Sequence, residues 1–124
     1  MSTISMAFGK HALAVALNDG PAARMLAAAL PMPVSMSRWG EGEYYGTLPV
    51  TLPAREKRRD VFEVGEVALW PDGNAFCVFF GPTPASRGSE PRMASPGIPL
   101  GRIVGGIDAL AGSGPSLRVT LSSP

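Results

Sequence analysis

The stretch GEVALWPDGNAFCVFFG, residues 65–81, reads as strand, turn, strand. Its first part closes the run VFEVGEVALW, whose apolar residues centre a strand on residues 67–70. Pro71, Asp72, Gly73 and Asn74 follow, four residues that favour a turn, with the Asn74 side chain able to support it. AFCVFFG is then a near-continuous apolar strand. On a strand, Phe76, Val78 and Phe80 face one way while Ala75, Cys77 and Phe79 face the other. One row should fill a core; the other should lie on the outer sheet face or beneath a long loop.

The same period of two recurs outward from this block. Ile4, Met6 and Phe8 alternate with small residues, as do Leu13, Val15 and Leu17. Gly9-Lys10 between them suits a two-residue hairpin turn with glycine at the first central position. In NDGPAARMLAAAL, Pro21 suits a first helical position, with Asn18 or Asp19 available as the cap. Met25, Leu26, Ala29 and Leu30 form an apolar stripe at helical spacing, and Pro31 and Pro33 end the helix. Met32, Val34 and Met36 resume strand alternation, and residues 43–50 suggest another short strand. The mixed-charge run 55–60 reads as a solvated loop. Residues 81–99, rich in proline and glycine, read as one long loop. LGRIVGG reads as a strand, 106–110 as one helical turn, and Leu117, Val119 and Leu121 as a last strand. Many short strands with Gly/Pro turns and little helix indicate an all-β barrel or sandwich.

At 124 residues the chain is expected to form a single domain over 1–124, long enough to bury a core of its own. Hydrophobic residues make up 45% and charged residues 17%, a globular rather than disordered composition. Eleven basic against ten acidic residues leave a net charge of +1, too little to steer nucleic acid or anionic membrane. One cysteine, Cys77, gives no internal disulfide framework. The longest membrane-like segment, AARMLAAALPMPV, falls short of the roughly 20 apolar residues a span needs. MSTISMAFGKHALAVAL lacks an uninterrupted apolar signal region. The expectation is a soluble, cytoplasmic protein.

With these elements placed, the segments VGEVALWPDGNAFCVFFGPTPAS and PLGRIVGGIDAL, preceded by RWGEGEYYGTLP, resemble a family of small bacterial and archaeal cyclophilin-like fold proteins. The NDGPAARML segment resembles that family's hairpin-to-helix junction, so the likeness runs from about residue 3 to 121. Its most specific motif is the G-(D/E)-(I/V)-x-x-W/Y-x-P-x-G-N-x-x-x-(I/V)-F-(F/Y)-G block, matched by residues 65–81. The resemblance implies a closed antiparallel β-barrel with one or two short helices, mainly all-β. It implies no activity, since the family's function is unassigned. Nor does it bring the prolyl-isomerase site of true cyclophilins, which carry an early-strand phenylalanine-x-arginine and a later phenylalanine-methionine-x-glutamine. Here residues 3–8 and 12–17 contain no arginine, and the chain contains no glutamine.

Most site chemistries find no residues to carry them. His11 and Cys77 are the only soft metal ligands, where structural zinc takes about four. Glu41 and Glu43 near one turn are a weak basis for an oxygen-ligand site. Cys77 lies among apolar neighbours, where burial raises rather than lowers a thiol pKa. Ser86, Ser89 and Ser95 have only His11 as a possible histidine base, and no G-x-S-x-G elbow occurs. Phosphate-cradling glycine loops in the required setting are absent. No catalytic residue, metal or cofactor is expected.

What remains suits binding. Trp39, Tyr45 and Phe79 are candidates for an aromatic groove, with Phe79 either covered or forming its floor. Thr83, between two prolines, could present a hydroxyl. Arg102, inside an apolar strand, requires a partner on burial. That partner is a structural carboxylate such as Glu43 or Asp108, or Arg102 or Arg92 holds a ligand carboxylate. The expected function is a non-catalytic domain binding a small molecule or an extended peptide, with no nucleic-acid or membrane partner, as monomer or homodimer. The alternatives are a protein–protein interaction module and a divergent peptidyl-prolyl isomerase.

Overall fold

The computed structural model describes residues 2–124. Eight antiparallel strands close a barrel, and its wall can be followed in spatial order. β1 (Ser2–Phe8) pairs with β2 (His11–Leu17) in full register, from Ser2 opposite Leu17 to Phe8 opposite His11. Gly9 at the turn has φ +56°, the left-handed backbone that the first central position of this hairpin needs. β1 also pairs with the last strand, β9 (Ser116–Ser122), which pairs with β3 (Met32–Trp39). From β3 the wall continues through β4 (Glu43–Thr47), β7 (Ala75–Phe79), β6 (Glu66–Trp70) and β8 (Arg92–Val104). Pairing of β2 with β8 closes it. A three-residue strand, β5 (Arg59–Val61), adds to the outer part of β8.

The inward rows are those the alternation predicts: Ile4, Met6, Val15, Val34, Met36, Phe76 and Val78 all join one core. Helix α1 (Pro21–Ala28) adds Ala22, Ala23 and Leu26 to it, and the short α2 (Asp108–Ala111) adds Leu110. None of the described helices is long and apolar enough to cross a membrane.

Five local expectations change. The buried face of α1 is rotated from the expected stripe, leaving Met25 48% exposed. Its N-terminal acceptor comes from the charged run: the Ala22 N–H donates to Glu56 Oε2 at 2.9 Å, while Asn18 Oδ1 accepts from the Gly20 N–H just outside the helix. The run 55–60 is not wholly loop, because Arg59 and Asp60 enter β5. The expected long loop ends at residue 91, and residues 92–99 open β8 despite Pro96 and Pro99. Proline removes only a donor: Pro99 stands opposite Ala68 at a register shift, and its carbonyl accepts from Asn18 Nδ2 at 2.8 Å. Asn74 (φ +48°) does more than support its turn, since its side chain accepts from the Leu52 N–H and donates to the Val50 carbonyl.

The seam between β2 and β8 admits no side chain at Gly101. A Cβ there would lie 2.1 Å from the Ala16 carbonyl oxygen and 2.8 Å from the Leu17 Cα, both backbone atoms. Gly101→Ala is therefore expected to destabilise the fold by about 3 kcal/mol, measurable by denaturant unfolding. A wild-type midpoint would mean that the seam yields more easily than its packing indicates.

Candidate functional site

β7 is buried along its whole length because both of its faces are covered. Phe76 and Val78 point into the barrel, whereas Ala75, Cys77 and Phe79 join a second, outer cluster with Phe62, Ala68 and Met93. The Phe79 ring stacks on Phe62 at 4.7 Å between centroids, with planes 11° apart. The cover is supplied by Phe62, just after β5, and by Met93 at the start of β8.

At the margin of this outer cluster lies a cavity of about 230 Å³, lined by Trp39, Glu43, Tyr45, Trp70, Met93 and Ala94. Alternation along β4 puts Glu43 and Tyr45 on its outer face, and register sets Glu43 opposite Phe79 and Tyr45 opposite Cys77. Tyr44 points into the barrel core between them. The start of β4 is placed by a backbone crossing. A Cβ on Gly42 would fall 2.0 Å from the Gly81 carbonyl group, and the Phe80 N–H donates to the Gly42 carbonyl at 2.7 Å.

Trp70 is held from two sides. Its indole Nε1–H donates to Ser95 Oγ at 2.7 Å, and that hydroxyl donates to Asp72 Oδ2 at 2.6 Å. Gly73 lies against the ring, where a Cβ would come within 2.8 Å of Cζ3. The indole donor is thus already used, and the ring offers the cavity apolar and π surface.

Two buried carboxylates in this half of the molecule are treated differently. Glu66, 6% exposed, forms an ion pair with Arg59 and accepts from the Glu63 N–H at 2.8 Å. Burial alone would raise its pKa, but the Arg59 and Glu63 hydrogen bonds hold it below the ordinary value. Glu43 is 3% exposed, its Oε1 has no hydrogen-bond partner, and it forms no ion pair among the described residues. Burial pushes its carboxyl up to about 7, against an opposing pull from the neighbouring Cys77 thiol. Cys77 is itself raised by burial and by Glu43, so it is a thiol packed in the outer cluster.

Of the residues expected at a site, the fold brings Trp39 and Tyr45 together at this cavity. Phe79 is fully buried beneath Phe62 and does not line it. Thr83 is also buried; its hydroxyl donates to the Arg92 carbonyl and accepts from the Ala85 N–H at 3.2 Å. Arg92 is engaged by Asp60 at 2.8 Å and Glu90 at 3.1 Å. The Arg87 N–H, helped by the Arg92 guanidinium and the Gly88 N–H, holds the Glu90 carboxyl at about 2. Arg102 pairs with Glu63, not with Glu43 or Asp108, because the strand end carrying it lies opposite Glu66 and beside residues 63–64. It borders a separate depression with Ala16, Asn18 and Pro99.

Sequence reasoning did not select Glu43, Trp70, Met93 or Ala94 as site residues. One signal was available: an acidic residue two positions before Tyr45 shares its face, and that face abuts a strand apolar on both sides.

No curated protein matches the chain. The solution structure of a hypothetical protein from Archaeoglobus fulgidus is similar, with 32% identity over 99% of this chain and 95% of that one and a TM-score of 0.82. A family model described as Cyclophilin-like matches residues 2–121. With the eight-stranded closed barrel, that match establishes that the chain belongs to the cyclophilin-like family.

Proposed function

We propose that this protein is a binding domain whose ligand enters the cavity between Trp39, Glu43, Tyr45, Trp70, Met93 and Ala94. The observation that carries the reading is Glu43, a buried carboxylate with no ion pair among the described residues, in the lining of an aromatic cavity. Leaving a buried carboxylate unpaired costs stability, and fold maintenance does not call for it, as the satisfied Glu66 demonstrates. Small-molecule sites combine apolar walls with a few orienting polar groups, and this cavity has that composition. At about 230 Å³ it lies below the roughly 300–1,000 Å³ of sites for drug-sized ligands, which favours a small ligand or one side chain of a peptide. The isomerase alternative needs an arginine beside a proline pocket, and neither Arg92 nor Arg102 lines this cavity.

Fragment screening by NMR, read at the Trp39 and Trp70 indole N–H signals, tests the reading. Hits should shift both signals, and Trp39→Ala should weaken them at least tenfold while the fold persists. Hits that shift neither indole, or that bind Trp39→Ala unchanged, would overturn it.

A further inference from the structure

We propose that the cavity accepts a methylated ammonium group, with the Glu43 carboxylate as its counter-ion and the rings of Trp39, Tyr45 and Trp70 as its walls. This inference rests on the binding reading above and specifies the chemistry of the ligand.

Three observations combine. First, Glu43 is the only charged residue among the described residues that line the cavity, and it is anionic when ionised. Glu43 lines the cavity yet is only 3% exposed, so an entering cation would meet a largely desolvated carboxylate, where attraction is far stronger than at a solvated surface. Second, the remaining walls are two indoles, a phenol, a thioether and one methyl group. Aromatic faces attract cations through the ring quadrupole, with tryptophan the strongest, by up to about 2 kcal/mol when the cation is desolvated. Third, the walls hold few hydrogen-bond acceptors. Apart from Glu43, the Tyr45 phenol is the one oxygen acceptor among the lining side chains, since both indoles are donors and the Trp70 N–H is already taken by Ser95.

The third point selects the degree of substitution. A bare ammonium carries three N–H donors, and each one buried without an acceptor incurs a desolvation penalty. One carboxylate and one phenol oxygen are few acceptors for three donors between indole, thioether and methyl walls. A tertiary or quaternary ammonium has one donor or none and presents methyl groups to the rings. Burial raises the Glu43 carboxyl to about 7, and a cation seated beside it would favour the ionised form and draw that value down.

The experiment compares three probes of one architecture by NMR titration of the full chain, read at the Trp39 and Trp70 indoles. Choline carries the trimethylammonium group. In 3,3-dimethylbutan-1-ol a carbon replaces the charged nitrogen, and ethanolamine carries the bare ammonium. Choline should bind at least tenfold more tightly than either. Glu43→Gln should weaken choline at least tenfold and the neutral alcohol by much less, so that the preference for choline collapses, with thermal unfolding confirming that the variant is folded. Equal affinity for choline and the alcohol would overturn the cation proposal while leaving the binding site standing. So would failure of choline to shift the indoles when neutral fragments do. If neither the probes nor any fragment shifts the indoles, the binding reading falls with it.

Discussion

Replacing Glu43 by glutamine is expected to stabilise the ligand-free protein, and increasingly so as pH rises. Burial lifts the Glu43 carboxyl from an ordinary 4.5 to about 7, with the Cys77 thiol opposing. A folded-state pKa above the unfolded value means that the folded chain holds the proton more tightly. Wild-type stability therefore falls as pH climbs from 4.5 towards about 7 and then levels off. That rise corresponds to about 3 kcal/mol, at about 1.4 kcal/mol for each pH unit. Glutamine does not titrate, so the stability gap between variant and wild type should widen by about 3 kcal/mol between about pH 4 and about pH 8. The other titratable groups facing Glu43 are the Tyr45 phenol on its own strand and the Cys77 thiol on β7. Burial pushes that thiol well above its ordinary range, so it stays protonated across this window. Denaturant titrations at the two pH values measure the gap. A constant gap would mean that the Glu43 carboxylate is solvated or paired in the folded protein, and the site would lose its main support.

Phe79→Ala should cost about 3–5 kcal/mol, the loss expected for removing a large buried aromatic side chain. Phe79 is fully buried, stacks on Phe62, and holds the outer cluster against β7. The damage should spread to Phe62, over whose ring the Arg59 guanidinium sits at 4.5 Å while it pairs with Glu66. Trp39→Ala, at the partly exposed rim of the cavity, should cost no more than about 1–2 kcal/mol. Urea unfolding of the two variants separates a core position from a lining position. A Phe79→Ala midpoint close to wild type would show that the outer cluster adds little to stability.

This contrast marks how far the sequence could be read. Alternation in residues 3–8, 11–17, 32–36 and 117–121 put the right side chains inside the barrel, since strand periodicity is local. The turn residues at Gly9-Lys10 and 71–74 bounded strands where backbone conformation demands it. In β7 the same periodicity sorted Phe76 and Val78 from Cys77 and Phe79, but could not say what covers the second row. The cover comes from Phe62 and Met93, each more than ten residues away along the chain. Prolines at 96 and 99 signalled loop because local propensity cannot anticipate a neighbouring strand that supplies the donors.

The sequence by itself determined which strand rows face inward and where several of the turns fall, and its family resemblance implied the closed barrel. Only the tertiary structure decided the site. Whether Glu43 meets a cation, water or an aromatic pocket depends on the register of β4 against β7 and on the path of β8 past Trp70. Register between strands far apart in sequence is set by the burial of whole faces, a non-local quantity that no single stretch encodes. That is why Arg102 found Glu63 and Glu43 was left facing an aromatic cavity with one carboxylate oxygen unpaired.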